Sequence, residues 1–260
     1  VKSWYEATDY IQGVLLEHGV DTTTQAGRRA ISEMSEIIAG ERGRIWAVNA
    51  EGRLDRPQRV RAKYIKFTIP STGDVIELTE AELIDLLAHF KDPTTVENLL
   101  RGAPIVLEGS IEAKESEKTL TAGDIVHIQR FARDNHGRAV ALSDAMVAYA
   151  NGPMAQLMKE WSVDHLGYSI VNNETWWSRR RRRVTAADDQ TIKDANLATA
   201  GITSSQFVKP RRDARSPIIV TDALAKFSNM AWTIGGIRHM DPAIRAAKSV
   251  LRDEGVNGFI

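Results

Sequence analysis

Helix boundary signals recur along the chain and constrain its fold more than any other feature of the sequence. Thr79, with Glu82 three residues later, forms a capping box before the apolar segment ELIDLLAHF. Asp92 caps the next helix, which Pro93 begins and which we expect to reach Gly102. Such signals at short intervals predict a mainly α protein with a helical, bundle-like body.

The N-terminal segment has the pattern of two helices joined by a short turn. Ser3 precedes a segment with apolar residues at helical spacing that ends at Gly19. The threonines at 22–24 then cap a second apolar helix, which we expect to end at Gly40. Two antiparallel helices are the simplest arrangement of such a pair.

The central region contains one ambiguous segment and one predicted break. Thr121 and Asp124 are placed to cap a helix that ends near Gly137, although the segment DIVHIQRF within it also fits a strand. Ser143 and Pro153 mark the starts of two short helices, the second covering MAQLMKEW. The C-terminal third has further helix signals of the same kind. They predict a helix that begins at Thr185 or Asp188 and ends at Gly201, a helix over DALAKFSNMAW after Thr221, and a final helix after Asp241 and Pro242.

Strand signals are few and lie in the first half of the chain. Apolar residues alternate on both sides of the turn Ser71-Thr72-Gly73, which predicts a small antiparallel β ribbon near 58–78. The segment PIVLEGSIEA at 104–113 is a third candidate strand. Because strands and helices do not alternate regularly, a doubly wound nucleotide-binding fold is not expected.

A division near residue 140 is predicted for the chain. Residues 1–140 would form an N-terminal helical lobe with the ribbon, and residues 141–260 a C-terminal helical lobe with the arginine-rich segment. One continuous domain is the alternative.

Composition indicates a folded protein, with 43% hydrophobic and 26% charged residues among 260. The absence of cysteine excludes disulfides, thiolate zinc sites and cysteine nucleophiles, and fits either a reducing compartment or a protein that has no need of thiols. No apolar run approaches the roughly 20 residues that span a bilayer, and VKSWYEATDY is not a signal peptide. We therefore expect a soluble, intracellular protein without a membrane partner, and its start at Val1 indicates a processed or excised product.

The net charge is zero because basic and acidic stretches cancel. Lys and Arg outnumber Asp and Glu by 8 to 2 in residues 42–66 and by 10 to 4 in residues 176–215. Acidic residues prevail by 7 to 3 in residues 1–41 and by 17 to 8 in residues 67–175. A protein that packs against copies of itself while it binds a polyanion has this pattern, although charges that cluster by chance and cancel in space give it too.

Motifs of nucleotide binding and of hydrolysis are absent from the sequence. There is no GxxxxGK[ST] and no GxGxxG, and Gly235-Gly236 lies between two predicted helices, where a helix C-cap explains it. The six histidines contain no HExxH and no pair at metal-ligand spacing, and no GxSxG elbow occurs. We therefore predict no enzymatic activity, no metal and no cofactor.

One enzymatic alternative remains open. Asp74 on a predicted strand, with Glu112 and Lys114 on another, has the residue types of metal-dependent nucleases, in which two carboxylates hold Mg²⁺ beside a lysine. The pattern is permissive, because such residues occur by chance in most chains of this length.

The stretch WWSRRRRRV begins the second basic region. Its arginines can follow a phosphate backbone through bidentate contacts, and its tryptophans can stack on unpaired bases. Lys209, Arg211, Arg212 and Arg215 extend the positive charge, and the earlier ribbon adds Arg59, Arg61 and Lys63 on one strand face. The predicted nucleic-acid contacts of the stretch itself are Trp176, Trp177, Arg179, Arg180, Arg181, Arg182 and Arg183.

Other interpretations of these residues stay open. At least one of the tryptophans has an equal claim to be a core anchor, and the arginines also suit an import receptor, an acidic protein surface or a buried ion pair. Residues 191–208 have the outline of a helix-turn-helix but lack a convincing recognition helix before Pro210.

The sequence as a whole favours a structural protein that assembles with itself around single-stranded RNA, or DNA, as viral nucleocapsid and coat proteins do. Its location would then be the virion or the host cytoplasm. Self-association would join acidic surfaces to basic ones, and the C-terminal tail DEGVNGFI would either dock on a neighbouring subunit or fold back on its own core. The alternatives are a DNA-binding regulator, the metal-dependent nuclease, and a capsid shell protein with loose genome contacts.

Overall fold

The computed structural model describes residues 2–35, 61–107, 118–169, 177 and 217–235. Within these ranges the protein is mostly helical with a small antiparallel ribbon, which confirms the predicted fold class. The α-helices are α1 (Lys2–Glu17), α2 (Gln25–Met34), α3 (Glu80–His89), α4 (Pro93–Leu100), α5 (Ala122–Asn135), α6 (Gly137–Tyr149) and α7 (Ala155–Leu166), and residues 223–235 form α8. The strands are β1 (Tyr64–Thr68), β2 (Val75–Thr79), β3 (Ile105–Leu107) and β4 (Ile218–Val220).

The predicted N-terminal helix pair is present as α1 and α2. Thr24 caps α2 by accepting a hydrogen bond from the Gly27 amide at 3.0 Å. A Cβ at Gly27, in the first turn of α2, would lie 1.7 Å from the Asp21 carbonyl oxygen, so any larger residue there requires the backbone to shift. The prediction that this helix continues to Gly40 was wrong, since Ser35 has an extended backbone and ends α2 at Met34.

The β ribbon forms as the sequence predicted. β1 and β2 pair antiparallel, with Phe67 opposite Ile76, and Gly73 takes a positive φ of 73° in the turn. Phe67 and Ile76 are both buried, so this face of the ribbon packs into the core.

Helix α3 runs through the centre of the core. Its capping box is present: Thr79 accepts from the Glu82 amide at 3.2 Å, and the Glu82 carboxylate accepts from the Thr79 amide at 2.7 Å. Nearly the whole helix is buried, and it packs on α6, β2 and β4. Asp92 and Pro93 begin α4 as predicted, and Gly102, at a φ of 92°, follows its end.

The ambiguous segment DIVHIQRF is helical and lies within α5. Thr121 and Asp124 form a capping box, and Asp124 also accepts from the Ser71 amide at 3.0 Å and from the Ser71 hydroxyl at 2.6 Å. Asp124 therefore joins the ribbon turn to the start of α5.

The predicted break between two short helices at Ser143 and Pro153 was wrong in part. Ser143 is buried inside α6 and begins no helix. Pro153 lies in a π-helical segment, Ala150–Met154, that connects α6 to α7 without interruption. Proline lacks an amide hydrogen and clashes with the carbonyl four residues earlier, and a wider π turn accommodates both effects. The second helix covers AQLMKEW, with Met154 still in the π-helical segment, and is followed by Gly167 at a φ of 78°.

A short parallel pair, β3 with β4, joins two distant parts of the chain. β3 confirms the start of the third candidate strand, whereas the sequence did not indicate β4. Helix α6 crosses residue 140 and packs on α1, α3 and α5. Buried residues from α1 through α8 belong to one hydrophobic cluster, and the division into two lobes stays a prediction.

We predict that Asp124→Asn destabilises the protein by about 1–2 kcal/mol at neutral pH, because the cap loses its charge-assisted hydrogen bonds. Burial alone raises the pKa of Asp124, but the bonds from Ser71 and Thr121 outweigh it and lower the pKa to about 2. A depressed folded-state pKa gives stability that is complete above the unfolded value of 3.8 and is lost as the pH falls towards 2. Urea unfolding from pH 7 to pH 2 should therefore show the difference between wild type and variant shrinking below about pH 4.

The control is Asp134→Asn on the same helix, where the carboxylate makes an exposed ion pair with Arg130 at 3.7 Å. Equal stability of the two variants across this pH range would contradict the assigned role of Asp124.

Candidate functional site

A fully buried carboxylate, that of Asp85 on α3, lies at the centre of a polar cluster in the described core. Its Oδ1 accepts from the Trp177 indole Nε1 at 2.6 Å and from Lys226 Nζ at 2.5 Å. Its Oδ2 accepts from the Thr221 backbone amide at 2.9 Å. One side chain thus contacts Trp177, the residue after β4, and α8.

Lys226 supplies the positive charge that balances Asp85. Its side chain is only 9% exposed, and its Nζ lies 3.5 Å from His89 Nε2 and 5.7 Å from the centre of the Trp177 ring. His89 follows Asp85 by one helical turn, with its Nε2 3.5 Å from Asp85 Oδ2. The ammonium group therefore meets a carboxylate, an imidazole and an indole face inside the core.

The ionisation of Asp85 follows from these neighbours. Burial raises the pKa of its carboxyl group, but the charge on Lys226 and the contact with His89 outweigh burial and hold the pKa below its usual range. Asp85 is therefore ionised near neutral pH, which strengthens each hydrogen bond that it accepts.

A second carboxylate, that of Asp222, begins α8. It accepts from the Ala225 amide at 2.9 Å, as an N-cap does, and its other oxygen accepts a hydrogen bond from the Ser35 hydroxyl. Burial raises the pKa of Asp222. The start of α8 is in this way bound to the end of α2.

The structure places Trp177 in the core. Its side chain is fully buried and its indole nitrogen is hydrogen-bonded to Asp85, so it has no free face for a nucleotide base. The alternative interpretation, a core anchor beside the arginines, describes its position. The aromatic, largely apolar side chain of Trp177 suits both burial in the core and stacking on a base, so the sequence alone does not distinguish these two roles.

The basic residues that were predicted to lie on the ribbon are placed differently from the prediction. Arg61 and Lys63 were placed on one strand face, but β1 begins only at Tyr64, so both precede the strand. Lys63 is bound to the end of α2, because its amide donates to the Glu33 carbonyl at 2.7 Å and its Nζ lies 2.6 Å from the Glu33 carboxylate. Both residues are exposed, although the charge of Lys63 is already paired.

The remaining predicted contacts with nucleic acid lie outside the described residues. They are Arg59, Trp176, Arg179, Arg180, Arg181, Arg182, Arg183, Lys209, Arg211, Arg212 and Arg215. The predicted helices at 185–201 and after Pro242, the helix-turn-helix outline, and the tail DEGVNGFI are outside them as well.

The residues of the nuclease alternative are described only at Asp74. This residue lies in the ribbon turn just before β2, not on a strand, and its carboxylate pairs with Lys118 Nζ at 2.9 Å. The hydrogen bonds from Lys118 and Thr72 lower the pKa of Asp74. Glu112 and Lys114 fall outside the described residues. Among those that the structure describes, no group of three or more His, Asp or Glu side chains is arranged to hold a metal ion.

Sequence reasoning missed the Asp85 cluster, although one signal was present. Asp85 is a charged residue in the otherwise apolar run LIDLLA, and Lys226 has a similar place in DALAKF. A charge in such a run is expected to be paired if it is buried. Nothing in the sequence says that these two residues pair with each other.

Comparison of the chain with protein-family models, with curated proteins and with solved structures gives no match. Within the described ranges, no helix combines the length and the apolar character needed to cross a membrane. Any function must therefore be inferred from the residues of this chain.

We predict that Lys226→Met destabilises the protein by about 3–5 kcal/mol, because it leaves the buried Asp85 charge without its cation. Asp85→Asn should also be strongly destabilising, whereas the double variant should lose less than the two single losses combined. The measurement is a double-mutant cycle by urea unfolding at pH 7. Lys91→Met is the control, since Lys91 pairs with a largely exposed Asp144 and should cost about 1 kcal/mol or less. Additive losses in the cycle would contradict the assigned pairing of Asp85 with Lys226.

Proposed function

We propose that this protein is a structural, non-enzymatic protein that binds single-stranded RNA and assembles with copies of itself. One observation supports it most directly. The basic stretch 176–215, with 10 basic and 4 acidic residues, contains at its start a tryptophan that is anchored in the core by Asp85. Five consecutive arginines begin two residues after that anchor. A basic segment joined to a stable body is suited to holding a polyanion.

The residue types of the stretch favour RNA contact that does not depend on sequence. Guanidinium groups bind phosphates through paired hydrogen bonds, and phosphates occur at every nucleotide. Base-specific contacts are not needed for a protein that covers a long strand. Trp176 is the remaining aromatic candidate for stacking, now that Trp177 is assigned to the core.

The surface of α1 supports self-assembly. Glu6, Asp9 and Glu17 are exposed on this helix, and so are the side chains of Tyr5 and Leu16, which are 55% and 60% exposed. An acidic surface is complementary in charge to a basic surface on another copy of the chain, and its exposed apolar groups add apolar contact between the two copies. The assembly is of the nucleocapsid or coat-protein type and resides in the virion or the host cytoplasm.

Replacement of Arg180, Arg181 and Arg182 by alanine should weaken RNA binding and flatten its salt dependence. Each lost phosphate contact removes about 0.7 from the slope of log affinity against log salt concentration for a single strand, so the slope should fall by about 2. The measurement is fluorescence anisotropy with a labelled oligouridylate over a series of salt concentrations.

The matched control for this variant replaces three exposed arginines of the described body, Arg101, Arg130 and Arg133, with alanine. It removes the same charge and should retain most of the wild-type slope. If the two triple variants have the same affinity and slope, the arginine run has no special role in binding.

Self-assembly should be visible by light scattering at low salt, where the mass of the purified protein should rise further when single-stranded RNA is added. Asp9→Lys with Glu17→Lys should reduce that mass, because it reverses charges on the exposed surface of α1. A monomeric mass for wild type both with and without RNA would contradict the assembly proposal.

A further inference from the structure

The side of α1 that is turned away from the core carries apolar and acidic side chains together. Tyr5 and Leu16 are both exposed, and their separation along the chain returns a helix to nearly the same side. Asp9 is exposed between them on the same line of the helix, and Glu6 and Glu17 are exposed beside it. A surface of this composition is suited to a partner that is both apolar and basic.

Gly13 lies in the middle of this surface, where no contact within the described residues requires a glycine. Glycine weakens a helix interior relative to alanine, because it has more conformational freedom to lose on folding. Gly13 is exposed, and a Cβ there would meet no atom of the described residues within 4 Å apart from its neighbours in the helix. The missing side chain therefore leaves a shallow gap that opens outwards.

The exposed side of α5 has the complementary composition. Val126, Arg130 and Arg133 lie on one line of this helix, on the side opposite the buried Ile128. Val126 is 63% exposed. The pairing of Arg130 with Asp134, at 3.7 Å, is exposed on both sides and stabilises little, so Arg130 readily exchanges it for another partner.

The charges on the two helices have the same spacing. Arg130 and Arg133 are three residues apart on α5, as Glu6 and Asp9 are on α1, so each pair spans about 4.5 Å along its helix. An antiparallel arrangement with Asp9 opposite Arg130 places Glu6 opposite Arg133.

The same antiparallel register matches each exposed apolar side chain with a glycine. Val126 comes opposite Gly13, and Leu16 comes opposite Gly123, an exposed glycine in the first turn of α5. In the parallel arrangement with the same charge spacing, the position opposite Gly13 is residue 137, past the end of α5, and the gap stays unfilled. Packing and charge therefore favour one orientation.

We propose that α1 of one copy of this protein docks antiparallel on α5 of a second copy, with Val126 in the gap at Gly13 and Arg130 beside Asp9. The inference rests on the proposed function, because it assigns self-assembly to two described surfaces. Contact of α1 with α1 would instead oppose like charges. Since each copy has one surface of each kind, association can extend beyond two copies.

The experiment measures the mass of the full chain without RNA by sedimentation velocity, over a series of protein concentrations at low and high salt. Gly13→Leu fills the gap, Asp9→Lys reverses a charge on α1, and Arg130→Glu reverses one on α5. The control is Gln156→Leu, which places the same side chain as Gly13→Leu on the exposed surface of α7. Circular dichroism and thermal unfolding confirm that each variant is folded.

We expect each of the three test variants to weaken association about tenfold, whereas Gln156→Leu should match wild type. Gly13→Leu should be at least as stable to heat as wild type, because leucine favours a helix more than glycine does. Asp9→Lys mixed with Arg130→Glu should associate again, since the native α5 of the first variant meets the native α1 of the second. High salt should weaken the association of wild type.

The outcomes distinguish this inference from the proposed function. If wild type associates and either Arg130→Glu or Gly13→Leu associates equally well, the contact of α1 with α5 is overturned while self-assembly stands. If wild type stays monomeric both here and with single-stranded RNA added, self-assembly fails together with this contact, and the anisotropy measurement with labelled oligouridylate decides RNA binding separately.

Discussion

The buried charge of Asp85 is the constraint on which much of the described core depends. An ionised carboxylate without water must receive compensating hydrogen bonds and a cation, or it destabilises the fold by several kcal/mol. Lys226 from α8, the indole of Trp177 and the amide of Thr221 meet this requirement together. Because each comes from a different part of the sequence, the requirement of one side chain fixes the relative positions of α3, α8 and the residue after β4.

Features that depend on residues close together in the sequence were predicted correctly, whereas features that depend on contacts between distant residues were missed. The capping box at Thr79 and the helix cap at Thr121 and Asp124 were predicted correctly because all the groups that form each of them lie within four residues. The expected helix start at Ser143 was wrong because Ser143 is buried within α6, which packs on α1 and α3. The break expected at Pro153 was wrong because a π-helical segment, Ala150–Met154, accommodates the proline and connects α6 to α7. Strand β4 was missed for a related reason, since a segment of three residues becomes a strand only through its distant partner β3.

The same limit applies to the candidate site. The apolar run around Asp85 showed that a charge was set among core residues, but no local pattern identifies Lys226 as its partner. Trp177 shows the same limit, because the sequence around an aromatic residue beside arginines looks the same whether the residue stacks on a base or anchors the chain. Because Trp177 is buried, two adjacent parts of WWSRRRRRV have different roles. Trp177 is part of the core, and the arginines are part of the proposed binding segment.

We propose that this neutral protein binds a polyanion because its charges are segregated along the chain and its most basic segment adjoins an ion-paired core. Ultraviolet cross-linking of the wild-type protein to single-stranded RNA, with the cross-linked peptides identified by mass spectrometry, tests that claim most directly. The account predicts that cross-linked nucleotides concentrate in residues 176–215, with a second group in 42–66. Cross-links confined to the acidic stretches 1–41 and 67–175, or none above background, would contradict it.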